Sequence, residues 1–125
     1  MKDKFILISG RSGAGKTELA LLYCNQYPET TLLISEEYSE EYILKRGLDS
    51  KVMMIGQDQF REIDLSKYKS ICIDYVELFD EDKLQYIIKK SSEIGIRIIA
   101  LTHMRPHSYQ VKNIFQSIFA SYTYK

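Results

Sequence analysis

Residues 4–23 read KFILISGRSGAGKTELALLY and place a glycine-rich segment between an apolar run and a helix-like run. The apolar run, KFILIS at 4–9, is continuous rather than alternating, which is typical of a strand covered on both faces in a parallel sheet. After the glycines, apolar residues recur at helical spacing from Lys16 to about Tyr27, and Pro28 ends the helix. The residues predicted to share one face of this helix are Leu19, Leu22, Tyr23 and Tyr27.

The rest of the chain alternates between strand-like and helix-like segments. Strands are predicted at 31–35, 52–55, 70–74 and 97–102, and a short helix near 108–115 and a last strand around 118–122 follow them. Helices are predicted at 39–47 and from Asp80 to Gly95. The second of these carries Leu84, Ile87, Ile88 and Ile94 on one face. The alternation predicts one α/β domain, residues 1–125, with a mostly parallel sheet flanked by helices and right-handed crossovers.

Composition narrows the classes of protein that fit this chain. Its 125 residues include 17 basic and 17 acidic side chains, so no global charge attracts nucleic acid or a membrane surface. Cys24 and Cys72 lie in apolar stretches without a CxxC motif, which favours two reduced core thiols. No apolar run approaches the roughly 18 residues of a bilayer span, and the N-terminus lacks a signal-peptide pattern. We therefore expect a cytoplasmic protein without a membrane segment.

The segment GRSGAGKT matches the pattern GxxxxGK[ST] in the strand-to-helix context that this pattern requires. Its glycines allow successive backbone N–H groups to point at one anion, and the helix N-terminus adds further donors. Lys16 is expected to reach the β- and γ-phosphates, and the Thr17 hydroxyl is expected to coordinate Mg²⁺. The predicted nucleotide-binding residues are Gly10, Arg11, Ser12, Gly13, Ala14, Gly15, Lys16 and Thr17.

Acidic side chains follow two other predicted strands. Asp74 ends the apolar strand SICID, where a second Mg²⁺ anchor is expected at the carboxyl edge of the sheet; the alternative is a cap on the next turn. Glu36 and Glu37 follow the strand TLLIS, and one of them is a candidate to polarise an attacking water. The alternative for both is a place in the first turn of the helix after Ser39, and Glu77 is a reserve candidate for the base.

The strand RIIALT is followed by polar residues that complete the predicted site. Thr102 and His103 end this strand and are expected beside the γ-phosphate, where His103 would detect it; the alternative is an ordinary loop histidine. Beyond them, Arg105, His107 and Lys112 form a modestly basic loop. This loop is the place where a local positive charge coincides with the predicted nucleotide edge.

Taken in order, these segments resemble the RecA-like ATPase core of the DnaB-type replicative helicases. SICIDYVELF is similar to the magnesium-aspartate strand of that family, and LLISEEYSEEYILKR is similar to its strand-exit segment, Phe-Ser-Leu-Glu-Met-Ser. The resemblance places Glu37 on the catalytic glutamate and Glu36 on the leucine. IIALTHMRP resembles the sensor strand, with His103 at the usual glutamine. The likeness runs from Phe5 to about Tyr122.

The resemblance implies an ATP-binding protein of RecA-like P-loop type that hydrolyses Mg-ATP in DNA replication or recombination. Its expected partners are nucleotide, single-stranded DNA, a replication or recombination protein, and further copies of the chain. The family's ring-assembly regions and arginine finger have no counterpart before Lys125, so a minimal core is expected. Two alternatives are an ATP-dependent switch that does not hydrolyse, and a small-molecule kinase. The kinase is disfavoured because the arginines are scattered along the chain rather than grouped in a lid.

Overall fold

The computed structural model describes residues 5–9, 16–102 and 123–124, and these residues build a parallel sheet with helices on both faces. The strands are β1 (Phe5–Ser9), β2 (Thr31–Ser35), β3 (Met53–Ile55), β4 (Ser70–Asp74), β5 (Arg97–Thr102) and β6 (Thr123–Tyr124). Their order is β3-β2-β4-β5-β1-β6, and every described pairing is parallel. The predicted α/β class and parallel sheet are confirmed.

Three α-helices lie in the described part of the chain, and two of them have the capping residues that the sequence predicts. They are α1 (Lys16–Gln26), α2 (Glu40–Arg46) and α3 (Glu81–Ile94). The Ser39 hydroxyl accepts the Tyr42 N–H at 3.1 Å at the start of α2, and the Asp80 carboxylate accepts the Lys83 N–H at the start of α3. Gly47 and Gly95 end these helices with φ of 120° and 94°, a conformation that favours glycine.

The two faces of the sheet carry different layers, because successive strand residues point to opposite sides. On one face, α1 and α2 pack against alternate strand residues such as Leu33 and Cys72. On the other face, α3 packs against the intervening residues, including Ile71 and Ile73. Burial on both faces explains why the strands are continuously apolar rather than alternating.

The loop between β3 and β4 contributes to the second layer in a way that the sequence did not predict. It forms 3-10 helices at Gln57–Glu62 and Leu65–Lys67 and places Phe60, Leu65 and Tyr68 in the core. The helix predicted at 108–115 and the strand predicted at 118–122 lie outside the described residues. No helix in the described ranges is long and apolar enough to cross a bilayer.

The predicted inward face of α1 is wrong at three of its four residues. Leu19, Leu22 and Tyr27 are 42, 68 and 71% exposed, whereas Tyr23 packs against the core together with Ala20, Leu21 and Cys24. The small side chains of Ala20 and Cys24 allow the helix axis to approach the strands closely, whereas larger side chains would hold it away.

The two cysteines face each other across the contact between α1 and β4. Both thiols are free and fully buried, as the sequence predicts. Hydrogen bonding with the Cys24 thiol and burial both raise the pKa of Cys72 well above its ordinary value. The Cys72 thiol therefore stays protonated, and both cysteines pack as small apolar side chains.

The inward stripe of α3 ends earlier than predicted. Leu84, Ile87 and Ile88 are buried as expected, but Ile94 is 49% exposed because it is the last residue of the helix, and the stripe ends at the buried Ser91.

Two of the isoleucines of α3, Ile88 and Ile94, provide a matched test of this packing. Ile88→Val removes a methylene from a fully buried side chain and should lower the free energy of unfolding by about 0.5–1.5 kcal/mol. Ile94→Val makes the same change at an exposed site and should stay within about 0.5 kcal/mol of the parent protein. Urea denaturation of both variants measures the difference, and equal losses would contradict the described orientation of α3.

Candidate functional site

The carboxyl ends of four neighbouring strands meet along one edge of the sheet. In sheet order these ends are Ser35 on β2, Asp74 on β4, Thr102 on β5 and Ser9 on β1. Ser35 lies opposite Asp74, and Thr102 lies opposite Ser9. The strand that ends at Thr102 therefore separates the β1 strand from the Asp74 strand, and ligands of open parallel sheets bind along this kind of edge.

The glycine-rich segment connects Ser9, the end of β1, to Lys16, the first residue of α1. This is the strand–loop–helix context that the sequence predicts for it. Six of the predicted nucleotide-binding residues lie outside the described residues, namely Gly10, Arg11, Ser12, Gly13, Ala14 and Gly15. His103 also lies outside them, as do Arg105, His107 and Lys112.

Asp74 is held at the end of β4 by a sharp turn of the chain. Its side chain is only 7% exposed, and its position two residues after Cys72 places it on the α1 side of the sheet. Tyr75, the next residue, has φ 60° and ψ 69°, and no other non-glycine residue in the described ranges has a positive φ. A left-handed tyrosine is uncommon, and such residues concentrate at functional sites. The turn then places Val76 and Phe79 in the opposite layer of the core.

The pKa of Tyr38 connects three of the predicted site residues. A hydrogen bond with Thr17 lowers the pKa of Tyr38, but burial and the negative charges of Glu37 and Asp74 raise it by more, so the net direction is upward. Thr17, Glu37 and Asp74 therefore lie near enough to the Tyr38 side chain to act on its charge.

The two adjacent acids after β2 have different surroundings. An oxygen of Glu36 accepts the backbone N–H of Gln57 at 2.5 Å and so caps the 3-10 helix of the β3–β4 loop. Gly56 makes room for this contact, because a β-carbon there would lie 2.9 Å from the same Glu36 oxygen. Glu37 is half-buried, and its N–H donates to the Ser35 hydroxyl at 3.3 Å. Of the two, Glu37 is the carboxylate whose charge raises the pKa of Tyr38.

Neither acid lies in the first turn of α2, so that alternative is wrong. The helix begins at Glu40 after its N-cap Ser39, and Glu40 and Glu41 are the acids of its first turn. The reserve candidate Glu77 lies in the 3-10 helix Val76–Leu78 after Asp74.

The sequence prediction missed Tyr38. No local signal marked it, because two of the groups that shift its pKa lie 21 positions earlier and 36 positions later in the chain. In the described ranges, no group of three or more His, Cys, Asp and Glu side chains is arranged to hold a metal ion. A divalent cation held here would rely on a mixed set of hydroxyl, carboxylate and phosphate oxygens.

Comparison with known proteins adds no family to this description. A scan against protein-family models found no match, and a search of curated proteins found no significant relative.

The cap formed by Glu36 can be tested by a change in stability. Glu36→Ala leaves the Gln57 N–H without its carboxylate partner and should lower the free energy of unfolding by about 0.5–1.5 kcal/mol. The control is Glu62→Ala, which removes an exposed acid at the end of the same 3-10 helix and should change stability by less than about 0.5 kcal/mol. Equal stability of the two variants in urea denaturation would show that the cap contributes nothing.

Proposed function

We propose that the protein binds Mg-ATP at the carboxyl edge of its sheet and hydrolyses it. The observation that carries this proposal is the strand edge at which the GRSGAGKT segment follows β1, Glu37 follows β2 and Asp74 ends β4, with Thr17 in the first turn of α1. The three residues come from the first turn of α1 and from the ends of β2 and β4. A hydroxyl and two carboxylates beside a phosphate-binding motif are the groups that hydrolysis of a nucleoside triphosphate needs.

The residues present suit Mg²⁺ bound together with a nucleotide. The Thr17 hydroxyl and the Asp74 carboxylate are hard oxygen donors, and Mg²⁺ is commonly held by one or two carboxylates plus the phosphates of its substrate. Thr17 and Asp74 would hold the ion, and when bound it would neutralise charge on the phosphoryl oxygens. The backbone N–H groups of Gly10–Thr17 and the Lys16 ammonium would hold the phosphates.

Glu37 is assigned the role of general base. It follows β2, the strand next to the Asp74 strand, and so belongs to the same edge without being needed as a metal ligand. A carboxylate in this place would accept a hydrogen bond from a water molecule and orient it for in-line attack on the γ-phosphorus. Glu36 does not suit this role because it caps the neighbouring 3-10 helix.

The biological setting is proposed from the resemblance to the RecA-like core of DnaB-type helicases. It points to a cytoplasmic ATPase of DNA replication or recombination that acts on single-stranded DNA or with a replication protein. The balanced charge of the chain, 17 basic against 17 acidic residues, requires any contact with DNA to be local. A partner subunit of the same kind would supply the arginine that RecA-like sites take from a neighbour.

Substitutions of the two adjacent glutamates should separate binding from turnover. Glu37→Gln removes the proton acceptor and should lower ATP turnover roughly 100-fold or more, while ATP binding persists. Glu36→Gln is the matched control and should retain turnover within about threefold, because its contact lies on the other side of the segment. Lys16→Ala should abolish binding of the triphosphate. Phosphate release and nucleotide affinity are measured for each variant. Wild-type turnover in Glu37→Gln would refute the assignment of the base.

Single-stranded DNA should raise the rate of ATP turnover at fixed ATP and Mg²⁺. We expect a stimulation of at least about threefold that falls as salt is raised, since contacts with DNA phosphates are screened. Phosphate release is titrated with single-stranded DNA, and particle mass is followed in parallel. Tight ATP binding without turnover would favour the nucleotide switch, and phosphate release without any acceptor would exclude a small-molecule kinase.

A further inference from the structure

The amino ends of three neighbouring strands lie at the edge of the sheet opposite the candidate site. Thr31 begins β2, Ser70 begins β4 and Arg97 begins β5, and Ser70 lies opposite both of the others. Lys69 directly precedes Ser70, and its carbonyl accepts the Arg97 N–H at 3.1 Å. The two cations therefore lie on neighbouring strands, whose backbones are about 5 Å apart.

An exposed tyrosine is connected to the same edge by hydrogen bonds. Tyr27 directly follows α1, and its side chain is 71% exposed. Its carbonyl accepts the Thr30 N–H at 3.2 Å and the Thr31 hydroxyl at 2.8 Å. The Thr30 carbonyl in turn accepts the Lys69 N–H at 2.9 Å. These contacts hold the backbone of Tyr27 near that of Lys69 and leave most of the tyrosine side chain in solvent.

The side chain of Arg97 belongs to the α1 side of the sheet. Arg97 is followed by Ile98, which packs in the layer of α3, and the even-spaced Leu101 packs in the layer of α1. Tyr27 lies where the chain leaves α1 for the sheet, at the same end of this layer. We call Tyr27, Lys69 and Arg97 the amino-edge patch.

The two cations of the amino-edge patch are exposed, and no acidic side chain in the described ranges forms an ion pair with either. Glu29, the acid in the turn between α1 and β2, instead pairs with Lys51 at 3.8 Å. The patch therefore presents two positive charges near an exposed aromatic ring. Cations attract the phosphates of nucleic acid, and aromatic rings stack on unpaired bases.

We infer that the amino-edge patch is a contact surface for single-stranded DNA, with Lys69 and Arg97 on phosphates and Tyr27 stacked on a base. The inference deepens the proposed function and rests on it for the kind of partner. The exposed ring favours nucleic acid over an acidic protein, because bases offer flat rings to Tyr27 whereas an acidic peptide would use the cations alone. DNA and ATP are thereby assigned to opposite edges of the sheet, so that both can bind at once.

The affinity for a fluorescently labelled oligothymidylate of about 20 nucleotides, measured by anisotropy without nucleotide or Mg²⁺, tests the patch. The double variant Lys69→Gln, Arg97→Gln should bind roughly 10-fold or more weakly. Its slope of log affinity against log salt should fall by about 1.4 in magnitude, because each phosphate contact contributes about 0.7. Tyr27→Ala should weaken binding at least about fivefold, whereas Tyr27→Phe keeps the ring and should stay within about twofold of wild type.

The matched control is the double variant Lys83→Gln, Lys89→Gln, which removes the same net charge from exposed positions on α3. It should bind oligothymidylate within about twofold of wild type, because salt screens charges that are distant from the patch. Excess ATP without Mg²⁺ should not displace oligothymidylate from the wild-type protein. Melting temperatures of all variants show whether a loss of affinity reflects a loss of fold.

Several outcomes would overturn the inference. Wild-type affinity in the Lys69→Gln, Arg97→Gln variant would do so, as would displacement of oligothymidylate by ATP, which would place DNA at the phosphate loop. Polyglutamate that binds as tightly as oligothymidylate and is insensitive to Tyr27→Ala would assign the patch to an acidic protein. A lowered melting temperature with unchanged DNA affinity would show that the cations only stabilise the helix ends at this edge.

The inference and the proposed function fail separately. A protein that hydrolyses ATP but binds no oligothymidylate would refute the DNA surface and retain the ATPase. A protein that binds oligothymidylate through the amino-edge patch but binds no nucleotide would refute the proposed function and retain the surface.

Discussion

The parallel pairing of β2 with β4 is the constraint on which the rest of the molecule depends. It sets Ser35 opposite Asp74 and is held by residues that are buried on both faces of the sheet, such as Leu33 and Ile73. A slip of one residue would move every side chain of a strand to the opposite layer. The same slip would turn Asp74 from the α1 side to the α3 side. The heavy burial of these two central strands therefore protects the geometry of the edge as well as the core.

The segment after Ser35 uses its two acids differently. Glu36 reaches the loop after β3 and fixes the start of a 3-10 helix, whereas Glu37 stays near the end of β2, where its N–H donates to the Ser35 hydroxyl. The two acids lie in the bend that follows β2, and these neighbouring positions contact different parts of the chain. One acid secures the segment while its neighbour is presented at the edge. Glu36 and Glu37 are therefore adjacent and chemically alike but have different roles.

The sequence predicted the strands and the helix caps well, because both depend on short-range signals. Continuous apolar runs defined β2, β4 and β5, and Ser39, Gly47, Asp80 and Gly95 set the helix limits where the structure has them. The inward face of α1 was predicted wrongly at most positions. The prediction was based on large apolar side chains such as Leu22, whereas the small Ala20 faces the sheet.

The candidate site was predictable in part from the sequence. The expectation that Thr17, Glu37 and Asp74 share one edge came from strand order and resemblance, and the structure places the end of β4 at Asp74 next to the end of β2, which Glu37 follows. Tyr38 escaped prediction because the groups that shift its pKa include Thr17, 21 positions earlier, and Asp74, 36 positions later. The ion pair of Glu18 with Arg46 depends on how α1 and α2 pack side by side, and no local pattern encodes that arrangement.

The buried pair of thiols makes it possible to measure how often α1 opens from the sheet. Cys24 and Cys72 are its two cysteines, and they lie sealed between α1 and β4. A thiol reagent can modify them only in molecules whose α1 has lifted from the sheet, so the labelling rate reports how often that layer opens. Thr17 on α1 and Asp74 on β4 belong to the same two elements. A ligand that contacts both α1 and β4 would hold the two elements together. The rate of thiol labelling would then fall as the occupancy of the ligand rises.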